Sequence, residues 1–259
     1  VWMGIFVVVP IIMVVVYAFT NAQGSFTVDN FKGMGDYVSV FGRSFGLAIV
    51  ATAVCILIGY PLAYVLSREG ARLQKIFIML IMLPMWMNFL LRTYAWMSIL
   101  EDTGLINSLL AKLGLPGIHM INTSGAVVLG MVYNYLPFMV LPIYSVISKL
   151  DRRLIEAAED LGSTPVQVFT RVVFPLSLPG VLSGITMVFV PSVSTFAISQ
   201  LLGGSRSILL GDLIEMQFLG SAYNPHLGSA IALVMMVIVL ICMWIMNRFG
   251  AGEETAVMF

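Results

Sequence analysis

The side chains that could do chemistry gather in one stretch, Asp151 to Pro175, which interrupts an otherwise apolar sequence with DRRLIEAAEDLGSTPVQVFTRVVFP. Its charges follow a helical repeat, without the nucleophile–base or metal-ligand spacing of a catalytic centre. The sequence has no HExxH, GxSxG or P-loop pattern, and its two histidines, His119 and His226, lie in separate segments. This pattern favours docking of a partner over catalysis, and we expect neither a catalytic residue nor a metal site.

The stretch is predicted to form a helix, a sharp turn and a second helix. One face of the first helix is apolar and comprises Leu150, Leu154, Ala157, Ala158 and Leu161. Gly162 supplies the left-handed residue that ends a helix. The following TPVQ at 164–167 restarts one, with a hydroxyl cap, a proline at the first helical position and a glutamine that closes a capping box.

The sequence Glu156-Ala157-Ala158, with Gly162 and Pro175 after it, resembles the EAA loop of ABC importer permeases. In that family the loop forms a cytoplasmic coupling helix seated on the ATPase subunit. Within residues 149–177 the resemblance implies these contact residues: Arg153, Glu156, Ala157, Ala158, Asp160, Gly162 and Pro175. An amphipathic helix that simply lies at the membrane surface between two spans is the alternative.

The composition predicts an all-α membrane protein. Of the 259 residues, 59% are hydrophobic and 10% are charged, whereas an ordinary soluble domain is about one quarter charged. The 13 basic and 13 acidic residues give no net charge that would attract nucleic acid. Cys55 and Cys242 lie in apolar runs without a neighbouring metal ligand. Val1 already lies in an apolar run, so we expect a few residues to precede it.

Six windows are long and apolar enough to span a bilayer, which needs about 20 residues. They are Val1–Thr20, Ser44–Ser67, Ile76–Leu100, Gly125–Ser148, Leu178–Leu202 and Leu227–Met246. Arg92 is the one charge inside a window, about 24 Å along its helix, where we expect it to reach the interface or to pair with Glu101 or Asp102. No internal repeat or soluble domain is visible, so residues 1–259 are interpreted as one permease domain.

The distribution of lysine and arginine predicts the orientation. Eight of the 13 lie in 68–75, 149–177 and the C-terminal tail: Arg68, Arg72, Lys75, Lys149, Arg152, Arg153, Arg171 and Arg248. The opposite side has only Lys32, Arg43, Lys112 and Arg206. Because basic residues favour the cytoplasmic side, both termini and the loop at 149–177 are expected there. On the outer side, 104–113 predicts a short helix capped by Asp102 or Thr103.

Three further stretches make the resemblance more specific within the permease family. They are LPMWMNFLLRTYAWMSIL at 83–100, PFMVLPIYS at 137–145 and GGSRSILLGDLIEMQF at 203–218. With the EAA-like loop they are similar to the first permease subunit of spermidine/putrescine importers, over about residues 41–248. The resemblance implies the six-helix type I arrangement of a bacterial inner-membrane protein. It also implies a second permease subunit, two ATPase copies and an extracytoplasmic binding protein as partners. ATP and Mg²⁺ would bind the ATPases, so this chain needs no cofactor.

A polycation could be carried by aromatic faces and hydroxyl or amide groups, because no predicted span contains a carboxylate. The candidate path and gate residues are Trp86, Asn88, Tyr94, Tyr135, Ser192, Thr195, Phe196 and Gln200. Outside the membrane, acids that could guide the polycation and contact a binding protein are Glu101, Asp102, Asp212 and Glu215. The glycine pair at 203–204 is predicted to act as a hinge of the outer gate.

Other functions remain open at this stage. The same architecture could import thiamine, sulfate or ferric iron, since specificity in such systems rests largely with the binding protein. A secondary transporter would need ion-coupling groups or an inverted repeat, and neither is evident in the sequence. A membrane scaffold would also explain apolar spans and an amphipathic loop.

Overall fold

The computed structural model describes residues 2, 4–204, 207–220 and 223–254. Val1 and Arg206, which the sequence analysis placed in the first span and in an outer segment, lie outside the described residues. Within these ranges the chain is helical, and its only extended pairing is an isolated bridge between Thr20 and Phe26. The predicted all-α class is confirmed.

The helices are numbered here in chain order. They are α1 (Gly4–Ala18), α2 (Val38–Arg68), α3 (Ala71–Met82), α4 (Phe89–Leu100), α5 (Leu105–Lys112), α6 (Ser124–Ile147), α7 (Arg152–Asp160), α8 (Pro165–Ser194), α9 (Leu210–Leu219) and α10 (Pro225–Glu254). Short turns at Asp29–Tyr37 lead into α2, and a 3₁₀ turn at Leu83–Trp86 follows α3.

Among the described residues, four helices are long and apolar enough to cross a membrane: α2 with its leading turns, α6, α8 and α10. The helices α3 and α4 form a fifth, bent candidate. The first expected span is α1, which is shorter than the roughly 20 residues that a bilayer requires. The structure therefore supports a multi-span bundle without confirming the count of six.

The third expected span is broken, and the prediction of one helix over Ile76–Leu100 is wrong. The segments Ala71–Trp86 and Phe89–Lys112 meet at an angle of 91°. Asn88 begins the second segment, because its Oδ1 atom accepts hydrogen bonds from the Leu90 and Leu91 amides at 2.9 and 3.3 Å. A proline within the 3₁₀ turn and an asparagine cap together end one helix and start another.

Arg92 belongs to this bend, where its side chain is buried. It is 8% exposed, and its Nη1 atom donates a hydrogen bond to the Pro84 carbonyl at 2.7 Å. Within the described part of the chain, no carboxylate lies within ion-pairing distance of its guanidinium. The expected pairing with Glu101 or Asp102 is therefore wrong. Arg92 instead adds a second hydrogen bond to the Pro84 carbonyl, which also accepts one from the Met87 amide at 3.2 Å.

The fifth expected span is displaced towards the N-terminus. α8 starts at Pro165, inside the expected loop, and runs to Ser194 through a π-helical turn at Phe169–Val173. Pro175 comes just after this wider turn and lies within the helix. The sequence analysis had expected Pro175 to end the loop instead. The boundary moved because an apolar window marks only the part of a helix that can lie in lipid, whereas α8 continues beyond it.

The described contacts divide the chain into two compact units. The first comprises Val1–Ala48, Trp96–Val127 and Val193–Cys242, and the second comprises Ile49–Ala95, Val128–Ser192 and Met243–Phe259. The expectation of a single permease domain stays a prediction.

The core of the second unit is formed where α2, α6 and α8 pack together, with Cys55, Met139, Ile143 and Val181 buried. At Gly180 a Cβ atom would lie 2.9 Å from the Pro142 carbonyl oxygen, so α6 and α8 approach through a missing side chain. In the first unit, the Leu210 amide at the start of α9 donates to Ser44 Oγ of α2 at 2.8 Å.

Candidate coupling and translocation sites

The loop between α6 and α8 has its sharp turn at Gly162. Asp151 begins α7, and its Oδ1 atom accepts a hydrogen bond from the Arg153 amide at 3.0 Å. Gly162 follows the end of α7 with a φ of +79°, a left-handed conformation that glycine adopts without steric cost. The predicted left-handed stop is confirmed.

The second helix of the loop begins with the capping box that the sequence predicted. The Thr164 amide donates to Gln167 Oε1 at 2.9 Å, and the Gln167 amide donates to Thr164 Oγ1 at 3.4 Å. Pro165 occupies the first helical position, where its missing N–H costs no hydrogen bond. Because each helix end satisfies its own backbone groups, the shape of the turn is determined locally.

Only part of the apolar face of α7 is packed. Leu150, Ile155 and Ala158 are partly buried against the core of the second unit, whereas Leu154 is 50% exposed and Leu161 is 88% exposed. The sequence pattern had placed Leu150, Leu154, Ala157, Ala158 and Leu161 on one face. The structure anchors α7 through one edge of that face and leaves the other edge free.

The free edge continues onto α8 and forms what we call the docking surface, which comprises Leu154, Ala157, Leu161 and Val166. The coupling residues implied by the resemblance lie around it. Arg153, Glu156, Asp160 and Gly162 are exposed, as is Ala157, while Ala158 and Pro175 are half-buried. An exposed apolar patch with a charged rim is typical of a protein interaction surface.

Three of the expected path residues lie close to the bend between α3 and α4. Trp86 is 75% exposed, Asn88 is exposed, and Tyr94 is 47% exposed. Tyr135, on α6 of the same unit, is half-buried and donates its hydroxyl to the Pro191 carbonyl at 3.4 Å. The bend thus presents aromatic faces and an amide that the second unit itself leaves uncovered.

The remaining path residues differ in their accessibility. Ser192 is fully buried and donates to the Val188 carbonyl at 2.7 Å, and Thr195 is 6% exposed, so neither side chain is open. In the first unit, Phe196 is 46% exposed and Gln200 is exposed. Only the last two of these four could meet a solute without a rearrangement.

The glycine pair at the expected hinge is closely packed. A Cβ atom on Gly203 would lie 2.7 Å from Val127 Cγ2, and one on Gly204 would lie 2.5 Å from Asn122 Oδ1. Gly204 also has a φ of +58°. The pair therefore provides space for a tight turn. These close contacts do not support the expectation that the two glycines act as a free hinge.

The four outer acids have different surroundings. Glu101 is exposed, and the Asp102 carboxylate contacts His119 Nδ1 at 2.8 Å. Glu215 is half-buried and accepts a hydrogen bond from Gln200 Nε2. Asp212 is only 3% exposed. The expectation that all four acids face a passing cation is thus corrected for Asp212.

Asp212 has a structural role at the start of α9. Its Oδ2 atom accepts a hydrogen bond from the Leu209 amide at 2.8 Å, which is the geometry of a helix cap. Burial raises the pKa of Asp212 to about 6, although the Leu209 hydrogen bond acts in the opposite direction.

This raised pKa predicts the pH dependence of stability. The folded chain holds the Asp212 proton more tightly than the unfolded chain, so the contribution to stability is full below about pH 4 and is lost as the pH rises to about 6. Asp212→Asn should flatten this slope in thermal unfolding of the purified protein between pH 4 and 7. The exposed Asp36→Asn is the control, and an unchanged slope in Asp212→Asn would contradict the prediction.

Sequence reasoning missed two polar residues that organise the loops. Gln74 donates to the Ser67 and Glu69 carbonyls at 3.3 and 2.9 Å and accepts from the Tyr144 hydroxyl at 2.9 Å. Asn107 on α5 bonds Ile118 through both its amide and its carbonyl groups. The signal available in the sequence was an uncharged amide side chain beside an apolar run, which needs hydrogen-bond partners when it is buried.

The helix expected at 104–113 is confirmed as α5, but the predicted capping residue is wrong. Gly104 precedes the helix without a side-chain cap, and Asp102 contacts His119 instead.

The comparisons with known proteins agree with this architecture. Residues 55–252 match the family described as the binding-protein-dependent transport system inner membrane component. The spermidine/putrescine transport system permease protein PotB of Haemophilus influenzae is 36% identical over 257 residues, which cover 95% of this chain and 90% of the relative. PotB of Escherichia coli K12 is 35% identical, with 95% and 94% covered.

Solved structures of similar fold are ABC importers. A bacterial ABC transporter that imports the acidic polysaccharide alginate matches 96% of this chain and 91% of its own, with a TM-score of 0.78 and 18% identity. The MetNI methionine ABC transporter matches 88% of this chain and 99% of its own, with a TM-score of 0.61 and 20% identity. The fold is that of a type I ABC importer permease, a non-catalytic and multi-pass subunit. The chain belongs to the family of inner-membrane components of binding-protein-dependent transport systems.

Proposed function

We propose that this chain is the polyamine-translocating permease subunit of an ATP-driven importer. The observation that carries the proposal is the docking surface, a self-capped and exposed turn in a chain that belongs to a permease family. The substrate class is supported by the names of its relatives, spermidine/putrescine permeases at 35–36% identity. The chain moves the polyamine from an extracytoplasmic binding protein to the cytosol by alternating access.

The partners follow from this role. Two ATPase copies carry ATP and Mg²⁺, and one of them seats the docking surface of this chain in a groove. A second, similar permease subunit seats on the other copy and completes the pathway. The lysine and arginine distribution supports cytoplasmic termini and a cytoplasmic α7–α8 turn, which is the side where ATP is available.

The coupling step is mechanical. Closure of the ATPases on ATP moves the docking surface, and the movement opens the bundle outwards to accept the polyamine. Hydrolysis then resets the bundle. The residues of the turn that transmit this movement are those of the EAA-like loop, with Glu156 and Arg153 on its charged rim and Gly162 at its corner.

The path uses weak, repeated contacts. Aromatic faces bind ammonium groups with about 0.5–2 kcal/mol each, which suits a conduit that must release its solute. Trp86, Tyr94 and Phe196 are exposed and provide such faces, while Gln200 and Glu215 together provide an amide and a carboxylate at the outer end. Ser192 and Thr195 become available only if α8 moves during the cycle.

The substrate is tested by uptake in proteoliposomes that contain the complete transporter and its binding protein. Labelled spermidine should accumulate in the presence of ATP, and an excess of unlabelled putrescine should compete. Competition by thiamine, sulfate or ferric iron instead would identify another solute. Uptake that survives ATP removal and collapses with the proton gradient would indicate a secondary transporter, and failure to co-purify with an ATPase would indicate a scaffold.

The path is tested by Phe196→Ala and Gln200→Ala. Each removes one weak contact for the cation, so we expect uptake at limiting substrate to fall about three- to ten-fold. Phe77→Ala and Gln23→Ala are the matched controls, because Phe77 has 42% exposure and Gln23 is exposed, and neither belongs to the path. Uptake equal to that of the wild type in both test variants would remove these residues from the path.

A further inference from the structure

A cleft of about 440 Å³ lies behind the coupling helix, within the second unit. The ends of α2, α3 and α6 form its inner wall, and α7 forms its outer wall. Its volume falls in the range of small-molecule sites, about 300–1,000 Å³, and exceeds what a single inserted side chain would fill. Of its lining residues, Glu156 also belongs to the charged rim of the docking surface, but the coupling function described above does not require the space itself.

The inner wall is tied together by its own hydrogen bonds. Gln74 bonds two backbone carbonyls with its amide nitrogen and accepts from the Tyr144 hydroxyl with its oxygen. The Ser67 hydroxyl donates to the Tyr64 carbonyl at 2.7 Å, and the Ser148 hydroxyl donates to the Ser145 carbonyl at 3.3 Å. These donors are occupied, so the hydroxyl groups in the wall offer the cleft mainly acceptor oxygens.

The outer wall adds two carboxylates. Glu156 and Glu159 line the cleft from α7 and are three positions apart, so they are neighbours on one helix face. Among the described residues, neither carboxylate has a hydrogen-bond donor or an ion-pair partner. Among the side chains that the structure describes, Arg68 is the one basic group in the lining, and it lies over the Tyr64 ring at 4.5 Å from its centroid.

We propose that this cleft binds an alkylammonium ligand from the cytosol, with Glu156 and Glu159 as its charge partners. The described side chains of the lining carry two negative formal charges against one positive charge, and their open groups are acceptors. Together these features select a cation that carries several N–H donors. If the proposed function is right, the polyamine released into the cytosol is such a ligand.

A bound ligand would also affect coupling. It would connect the carboxylates of α7 to the inner wall formed by α2, α3 and α6, and α7 is the element that must move with the ATPase. Occupancy would therefore hold the docking surface in place and slow the transport cycle as the product accumulates. The permease itself, rather than only its ATPase partners, would then sense the product.

The experiment uses proteoliposomes in which the ATPases face outwards and the lumen holds the binding protein with spermidine. ATP hydrolysis is measured while spermidine is added outside, and each variant is normalised to its own uninhibited rate. Glu159→Gln should raise the half-inhibitory concentration about three- to five-fold, the value of one exposed charge pair. Arg68→Gln should lower it, because a repelling charge is removed. Glu69→Gln, which does not line the cleft, is the matched control.

Opposite shifts in Glu159→Gln and Arg68→Gln would support the site, since a general disturbance of the loop would shift both in one direction. Shifts of the same sign, or a Glu159→Gln response equal to that of Glu69→Gln, would overturn it. Uptake of labelled spermidine into vesicles of the opposite orientation separates the two proposals. Normal uptake without inhibition removes only the cleft, whereas absent uptake of spermidine removes the proposed substrate.

Discussion

Replacing Gly162 by proline is expected to lower ATP-driven uptake at least ten-fold while the chain still inserts into the membrane. Gly162 has a φ of +79°, whereas proline requires a φ near −65°. The substitution also removes the amide that donates to the Glu159 carbonyl at 2.8 Å. A proline in an incompatible position costs about 3 kcal/mol, which would reduce the population of the native turn about 100-fold.

The chain contains a close match for this turn in another place. Gly114 follows α5 with a φ of +72°, and its amide donates to the Ala111 carbonyl at 3.1 Å. In both turns the next amide bonds a carbonyl five residues back: Ser163 to Ala158 at 3.1 Å, and Leu115 to Leu110 at 2.9 Å. Gly114→Pro therefore creates the same backbone conflict away from the proposed ATPase contact.

The two glycine variants are compared by uptake and by ATP hydrolysis in the reconstituted complex. Gly162→Pro should uncouple hydrolysis from uptake, and Gly114→Pro should retain coupling. Glu156→Lys, which reverses a charge on the rim of the docking surface without touching the turn, should uncouple as well. Unchanged uptake in both Gly162→Pro and Glu156→Lys would count strongly against a coupling role for the loop.

Gly180→Leu is expected to prevent correct packing of the second unit. The added Cβ atom would lie 2.9 Å from the Pro142 carbonyl oxygen and 3.1 Å from Ile143 Cα, and neither backbone atom can move alone. The helices α6 and α8 must separate, and overpacking of this kind costs about 3 kcal/mol even before the larger leucine side chain finds space. The protein should aggregate on extraction or unfold at a clearly lower temperature.

Gly46→Leu is the control for this second prediction. Gly46 also lies within a helix, α2, and a Cβ atom there would meet nothing within 4 Å. Both variants replace a helical glycine by leucine, so a difference in stability between them reports packing alone. Thermal unfolding and the monodisperse fraction in detergent measure it, and equal stability of the two variants would show that the α6–α8 contact tolerates expansion.

The local features of the α7–α8 turn could be predicted from the sequence because a few consecutive residues determine them. A glycine in a left-handed conformation and the Thr164–Gln167 capping box need no distant partner. The helical class followed in the same way from composition, since apolar segments in lipid must satisfy their own backbone hydrogen bonds. Family membership could be inferred from the spacing of Glu156, Gly162 and Pro175.

Tertiary structure alone decided which side chains are open and which are occupied. Arg92 looked like an interfacial charge until the bend placed the Pro84 carbonyl beside it, and Asp212 looked like an outer acid until burial of α9 enclosed it. Leu154 and Ile155 are neighbours in sequence, yet one remains exposed and the other packs against the core. The sequence pattern of a helix specifies which of its faces are apolar and which are charged. The residues that cover each face, however, come from distant parts of the chain. Burial, and with it the chemistry available to a charged or apolar side chain, is therefore determined only when those parts are packed together.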